Sequence, residues 1–110
     1  MAKYERRFQG DFGAVLSQLH NGILSGSISA SFEEGSNYIA GDFRCTVRVY
    51  ERYSFVGGNR LSVTVTLVGQ GEELFLSAIA SGGSQAMFFK INTWGEEAFL
   101  EKVQEIAERF

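Results

Sequence analysis

The chain has 110 residues, 45% hydrophobic and 21% charged, a balance that suits one folded domain and argues against disorder. With no Pro, one Cys and one His, it excludes Pro-rich recognition, an internal disulfide framework and a Cys/His zinc site. A formal net charge of −3 argues against nucleic acid and anionic membrane as partners.

Residues 3–9 mix Tyr4 and Phe8 with charges and suit a short first strand. Gly10 breaks it, and Asp11 stands where a helix needs an N-cap. Phe12, Val15, Leu16, Leu19 and Ile23 then recur as one helical stripe, which Ser25-Gly26-Ser27 ends. From Ser27 to Ile91 the period changes to two. Ile28, Ala30 and Phe32 alternate with serines, and Glu33-Glu34-Gly35-Ser36-Asn37 reads as the following turn. In the longest predicted strand, about residues 43–55, Phe43, Cys45, Val47, Val49 and Tyr53 point one way. Arg44, Thr46, Arg48, Tyr50 and Arg52 point the other. Beyond Gly57-Gly58-Asn59, Leu61, Val63, Val65 and Leu67 alternate with Ser62, Thr64 and Thr66. Gly69-Gln70-Gly71 turns the chain into residues 74–80, where Leu74, Leu76, Ala78 and Ala80 compete with Phe75 and Ile79 for the inner face. After Ser81-Gly82-Gly83-Ser84 and a short apolar segment, Ala86 to Ile91, Thr93-Trp94-Gly95-Glu96 has the spacing of a capping box. It precedes an amphipathic helix with Phe99, Leu100, Val103, Ile106, Ala107 and Phe110 on its apolar side.

Parity constrains one register. If the apolar faces of strands 43–55 and 61–68 coincide, opposed residue numbers sum to an even number and the loop is odd, which predicts the three-residue turn Gly57, Gly58 and Asn59. The element order predicts a single α+β domain over residues 1–110: a curved antiparallel sheet of about five strands with two helices packed on one face. That architecture resembles TBP-like and helix-grip domains, and by itself it implies no activity.

Few side chains suggest chemistry. His20 lies at the margin of the first helix's stripe, a place for a boundary histidine or a general base. Cys45 sits among inward residues, as a small hydrophobe or a nucleophile. Arg44, Arg48 and Arg52, with Tyr50, make a stripe rather than a grip on one phosphate, because Arg44 and Arg48 stand about 13 Å apart. They form either a solvated outer face or an interface for an acidic partner, including the Glu-rich last helix of a second copy. Glu51 breaks the alternation and points inward with Val49 and Tyr53, so either a bulge turns it out or it lines a cavity with polar partners. The loop Ser81, Gly82, Gly83, Ser84 and Gln85 offers backbone amides for an anion nest, without a P-loop ending.

Four stretches carry a resemblance: Gly26-Ser27-Ile28-Ser29-Ala30, Arg44-Cys45-Thr46-Val47-Arg48-Val49-Tyr50-Glu51-Arg52-Tyr53, Gly57-Gly58-Asn59-Arg60, and Ser81-Gly82-Gly83-Ser84-Gln85-Ala86-Met87-Phe88-Phe89-Lys90. With Gly95-Glu96-Glu97-Ala98-Phe99-Leu100, the chain is similar to a family of short bacterial proteins of unknown function. The resemblance implies a self-contained bacterial domain and supplies no functional residues.

Ten Phe, four Tyr and one Trp are many for so small a core, which favours a ligand cavity or an oligomer interface. The expected function is therefore a non-catalytic domain that binds a small molecule or associates with itself as a homodimer. The ligand edge would comprise Glu51, Ser81, Gly82, Gly83, Ser84 and Gln85, and the interface Arg44, Arg48, Tyr50 and Arg52. The alternative is a small enzyme using Glu51 or His20 as general base. No cofactor or metal is expected, nor a nucleic acid or membrane partner. A lone Cys and the lack of an export-like apolar run suggest the cytoplasm.

Overall fold

The computed structural model describes residues 1–26, 29–53, 60–82 and 89–110, with side chains of the last stretch described from residue 98. Its elements are β1 (Ala2–Gln9), α1 (Phe12–Ser25), β2 (Ser31–Ala40), β3 (Phe43–Tyr53), β4 (Arg60–Gln70), β5 (Glu73–Gly82) and α2 (Phe89–Ala107). The strands form one antiparallel sheet in the order β1-β5-β4-β3-β2. The first helix explains that order. At ~1.5 Å per residue its 14 residues span ~21 Å, matching the ~19 Å across five strands, so it carries the chain from one sheet edge to the other.

Each element has a local cause. Asp11 caps α1, its carboxylate accepting from the Ala14 amide at 2.9 Å. The residues α1 buries are Phe12, Val15, Leu16, Leu19 and Ile23, the stripe predicted from spacing. The β2–β3 and β4–β5 hairpins turn on Gly41-Asp42 and Gly71-Glu72, with the glycines at φ 62 and 60, the positive φ that two-residue hairpin loops require. Arg6, on the helix-facing side of β1, donates to the Ala107 carbonyl and, at 2.9 Å, to the Phe110 oxygen, tying the first strand to the end of α2.

The core lies between the sheet and both helices. Leu61, Val63, Val65 and Leu67 of β4 and Leu74, Leu76, Ala78 and Ala80 of β5 share one face, with Val65 opposite Ala78. This settles the β5 ambiguity, and Phe75 and Ile79 point to the other face. Against that floor α2 buries Phe99, Leu100, Val103, Ile106 and Ala107. The helices touch closely at Gly22, where a Cβ would lie 2.3 Å from the Ile106 Cδ1.

Three expectations need correction. The run Glu33–Asn37 is strand rather than turn. Every residue of β2 is exposed along this edge, so polar residues cost little there, and a register shift between Phe32 and Glu34 absorbs Glu33 while Glu34 pairs with Val49. Helix α2 begins at Phe89, so Thr93 lies inside it and is not its N-cap. Most consequentially, β3 presents the opposite face. Tyr50 pairs with Val63 and Val49 with Thr64, so opposed numbers sum to an odd value and Arg44, Thr46, Arg48, Tyr50 and Arg52 face the helices. Aliphatic arginine stems tolerate burial when the guanidinium heads find aromatic rings, and these heads do. The predicted turn Gly57, Gly58 and Asn59 lies outside the described residues.

Candidate functional site

The helix cover ends near β3, and there the sheet brings α1 and the β2–β3 hairpin together. On α1, Phe12, Leu16 and His20 follow at intervals of one turn, which aligns them along one side of the helix. The three arginines on this face of β3 each meet an aromatic ring. Arg44 lies over the Phe12 ring with 4.3 Å to the centroid, and Arg52 over Phe99 of α2 at 4.9 Å. Between them, Arg48 lies 5.8 Å from the centroid of Phe32 on β2.

His20, Arg48 and Tyr50 form one hydrogen-bonded cluster. Arg48 Nη1 is 3.0 Å and the Tyr50 hydroxyl 2.9 Å from His20 Nδ1. Guanidinium only donates, so Nδ1 must accept, and the neutral ring carries its proton on Nε2. Phe32 closes the cluster, edge-on to His20 at 5.5 Å between centroids and tilted against Tyr50 at 5.7 Å. Burial, then the adjacent Arg48 charge, hold His20 below the ordinary imidazole value. Burial pushes Tyr50 up, while a hydrogen bond and positive charge from Arg48 act the other way. Tyr50 itself is 1% exposed, so it orients the other two, whereas Phe32 is 44% exposed and His20 is half-buried. Further along β3, buried Thr46 donates to the Asn37 side-chain oxygen at 2.6 Å, a contact that aims the Asn37 amide group.

Among the described residues the ion pairs are Lys3–Glu5, Arg60–Glu51 and Lys102–Glu105, and neither Arg44 nor Arg48 takes part in them. Two cations thus stand beside aromatic rings in an acidic protein without a carboxylate partner among those residues. Such a cluster can receive an anion by charge-assisted hydrogen bonds and hold an apolar portion against Phe32. No group of three or more His, Cys, Asp or Glu among the described residues could hold a metal ion.

The other predicted site residues fall elsewhere. Glu51 lies on the face away from the helices, opposite Ser62 of β4 and Ser31 of β2, so it neither breaks the alternation nor edges a space between sheet and helices. Its carboxylate accepts from Arg60 at 2.8 Å, and on that outer side Glu51 lines a recess of about 50 Å³ with Ser29, Ser31, Arg52, Tyr53 and Arg60. Ser81 pairs with Ser62, so the sheet does place Ser31, Glu51, Ser62 and Ser81 in one cross-strand row. Gly82 pairs with Leu61 on the helix side, and Gly83, Ser84 and Gln85 lie outside the described residues. Cys45 is a free, half-buried thiol on the outer face. Arg44, Arg48, Tyr50 and Arg52 do lie on one face of β3, but beneath and beside the helices rather than on a solvated outer face.

Sequence reasoning missed Phe32 as a partner of His20. The available signal was the coincidence of two periods: one helical turn separating Phe12, Leu16 and His20, and two residues separating Arg48 from Tyr50.

One antiparallel sheet covered on one side by two helices defines an α+β domain. The chain belongs to the family described as "Family of unknown function (DUF6054)", whose match covers residues 1–110. No curated protein matches the chain.

Proposed function

We propose that this is a non-catalytic domain that binds a small anionic ligand at the His20–Arg48–Tyr50 cluster. The observation that carries the reading is Arg48: a cation held by His20 Nδ1, set against Phe32, and taking part in no ion pair among the described residues. Arg48 and the Nε2–H of His20 supply donors, and the partly exposed Phe32 ring supplies apolar contact. The element order and the placement of both helices on one face support the finer reading of a TBP-like or helix-grip-like fold. A free Cys45 supports a cytoplasmic setting.

The alternative, a general base at His20 or Glu51, has less support. His20 Nδ1 is occupied by two donors and its basicity is depressed, while Glu51 is engaged by Arg60. The test is a backbone-amide NMR titration of the full chain with inorganic phosphate, succinate and benzoate. Saturable shifts at His20, Phe32 and Arg48 for at least one anion, absent in Arg48→Gln, are expected. No localised shift up to tens of millimolar, or equal shifts in the variant, would refute the site.

A further inference from the structure

We propose that the sheet face opposite the helices is the interface of a homodimer, with two sheets packed face to face about a two-fold axis along β4. This rests on the outer face alone and is independent of the ligand site. Both helices lie on the other side, and no described element covers this one. Solvated outer faces ordinarily alternate to polar residues. Here one cross-strand row reads Tyr38, Cys45, Val68, Phe75 and Arg7, apolar across four of five strands. Tyr38 is 62% exposed, and Ile79 two rows away is 40% exposed.

The charges select the partner and the axis. A second row reads Glu34, Val49, Thr64, Ile79 and Lys3, with opposite charges at its two ends. Because β4 is the middle strand of the five, an axis along it carries β1 over the partner's β2 and β5 over the partner's β3. Lys3 then comes over the partner's Glu34 at both edges of the interface. Arg7 comes over the partner's Tyr38, Phe75 over the partner's Cys45, and Val68 meets the partner's Val68 on the axis. The other in-plane axis, run across the strands through the Thr66 row, would lay β1 on the partner's β1, setting Lys3 against the partner's Arg7 and Glu5 against the partner's Glu5, like charge on like. Lys3, which pairs with Glu5 of its own strand at 3.6 Å, thus also meets an opposite charge across the axis along β4. Five strands at ~4.8 Å and eight residues at ~3.3 Å give roughly 600 Å² per copy, at the lower end for a specific interface. Twisted sheets pack in this aligned manner at about −30°.

Sedimentation equilibrium of the full chain tests the assembly, with the dimer mass expected at tens of micromolar. Val68→Glu places two like charges on the axis and is expected to weaken dimerisation at least about 100-fold while cooperative melting persists. Lys3→Glu is expected to weaken it about tenfold, and adding Glu34→Lys to restore most of that loss, a rescue independent of Val68 and of any effect on folding. A monomer mass at several hundred micromolar overturns the proposal. So does a folded Val68→Glu that dimerises like the parent, or a double variant no tighter than Lys3→Glu alone.

Discussion

Arg48 Nη1 donates to His20 Nδ1 across 3.0 Å, and this contact sets the protonation of the candidate site. A donor-only guanidinium beside an imidazole nitrogen requires that nitrogen to be unprotonated, so the fold holds the ring neutral. Tyr50, buried beneath them, makes the second contact at 2.9 Å.

Removing that second contact tests whether Tyr50 is a positioning residue. Tyr50→Phe keeps the ring and its contacts with Phe32 and His20 but deletes the hydroxyl. The expected cost is about 0.5–1.5 kcal/mol, the net worth of one part-buried hydrogen bond. Urea denaturation checks it. A loss above ~3 kcal/mol would mean that Tyr50 supports the core far beyond its hydroxyl.

The pH dependence of stability follows from His20. Its folded value lies below the unfolded value of about 6.5, so the unfolded chain binds more protons in that range. The neutral ring's contribution is fully present above the unfolded value and is lost as pH falls from there toward the lowered folded value. Carboxylates titrate at lower pH, and the difference between parent and His20→Gln isolates the imidazole. Relative to the variant, the parent is expected to lose stability between pH 7.5 and 5. A difference that stays flat or grows on acidification contradicts the assignment.

The helix–helix contact predicts a steric result. In Gly22→Val the new Cβ would meet Ile106 Cδ1 at 2.3 Å and Cγ1 at 2.9 Å, so the helices must separate or Ile106 must leave its position. Overpacking of this kind costs about 1–3 kcal/mol. Val103→Asp, on the buried side of α2, places an unpaired charge in the core and is expected to abolish cooperative unfolding. Thermal melts check both, and a variant within about 0.5 kcal/mol of the parent would show that its contact is absent.

The helices were readable from sequence because their apolar residues follow one period: each residue of the α1 stripe is buried, and α2 buries its stripe from Phe99 to Ala107. β3 was not, for a physical reason. Hydropathy ranks Val47 and Val49 as inward and Arg48 as outward, but an arginine stem can cover a core margin while its head rests on a ring. The more apolar face of β3 is the outer one, so the odd-sum register with β4 turns Glu51 outward and brings Arg48 and Tyr50 to His20. Glu33 and Glu34 misled for a related reason: a fully exposed edge strand need not look like a strand.

The imidazole of His20 gives the most direct test of the arrangement on which the ligand site depends. Two-bond nitrogen–proton NMR correlations of the single histidine report both tautomer and titration. With Arg48 beneath α1 and donating to Nδ1, the ring is predicted to carry its proton on Nε2 at neutral pH, to titrate below the ordinary value, and to shift upward in Arg48→Gln. A ring protonated on Nδ1, or one titrating at or above the ordinary value and indifferent to Arg48→Gln, would mean that β3 does not present its arginines to the helix.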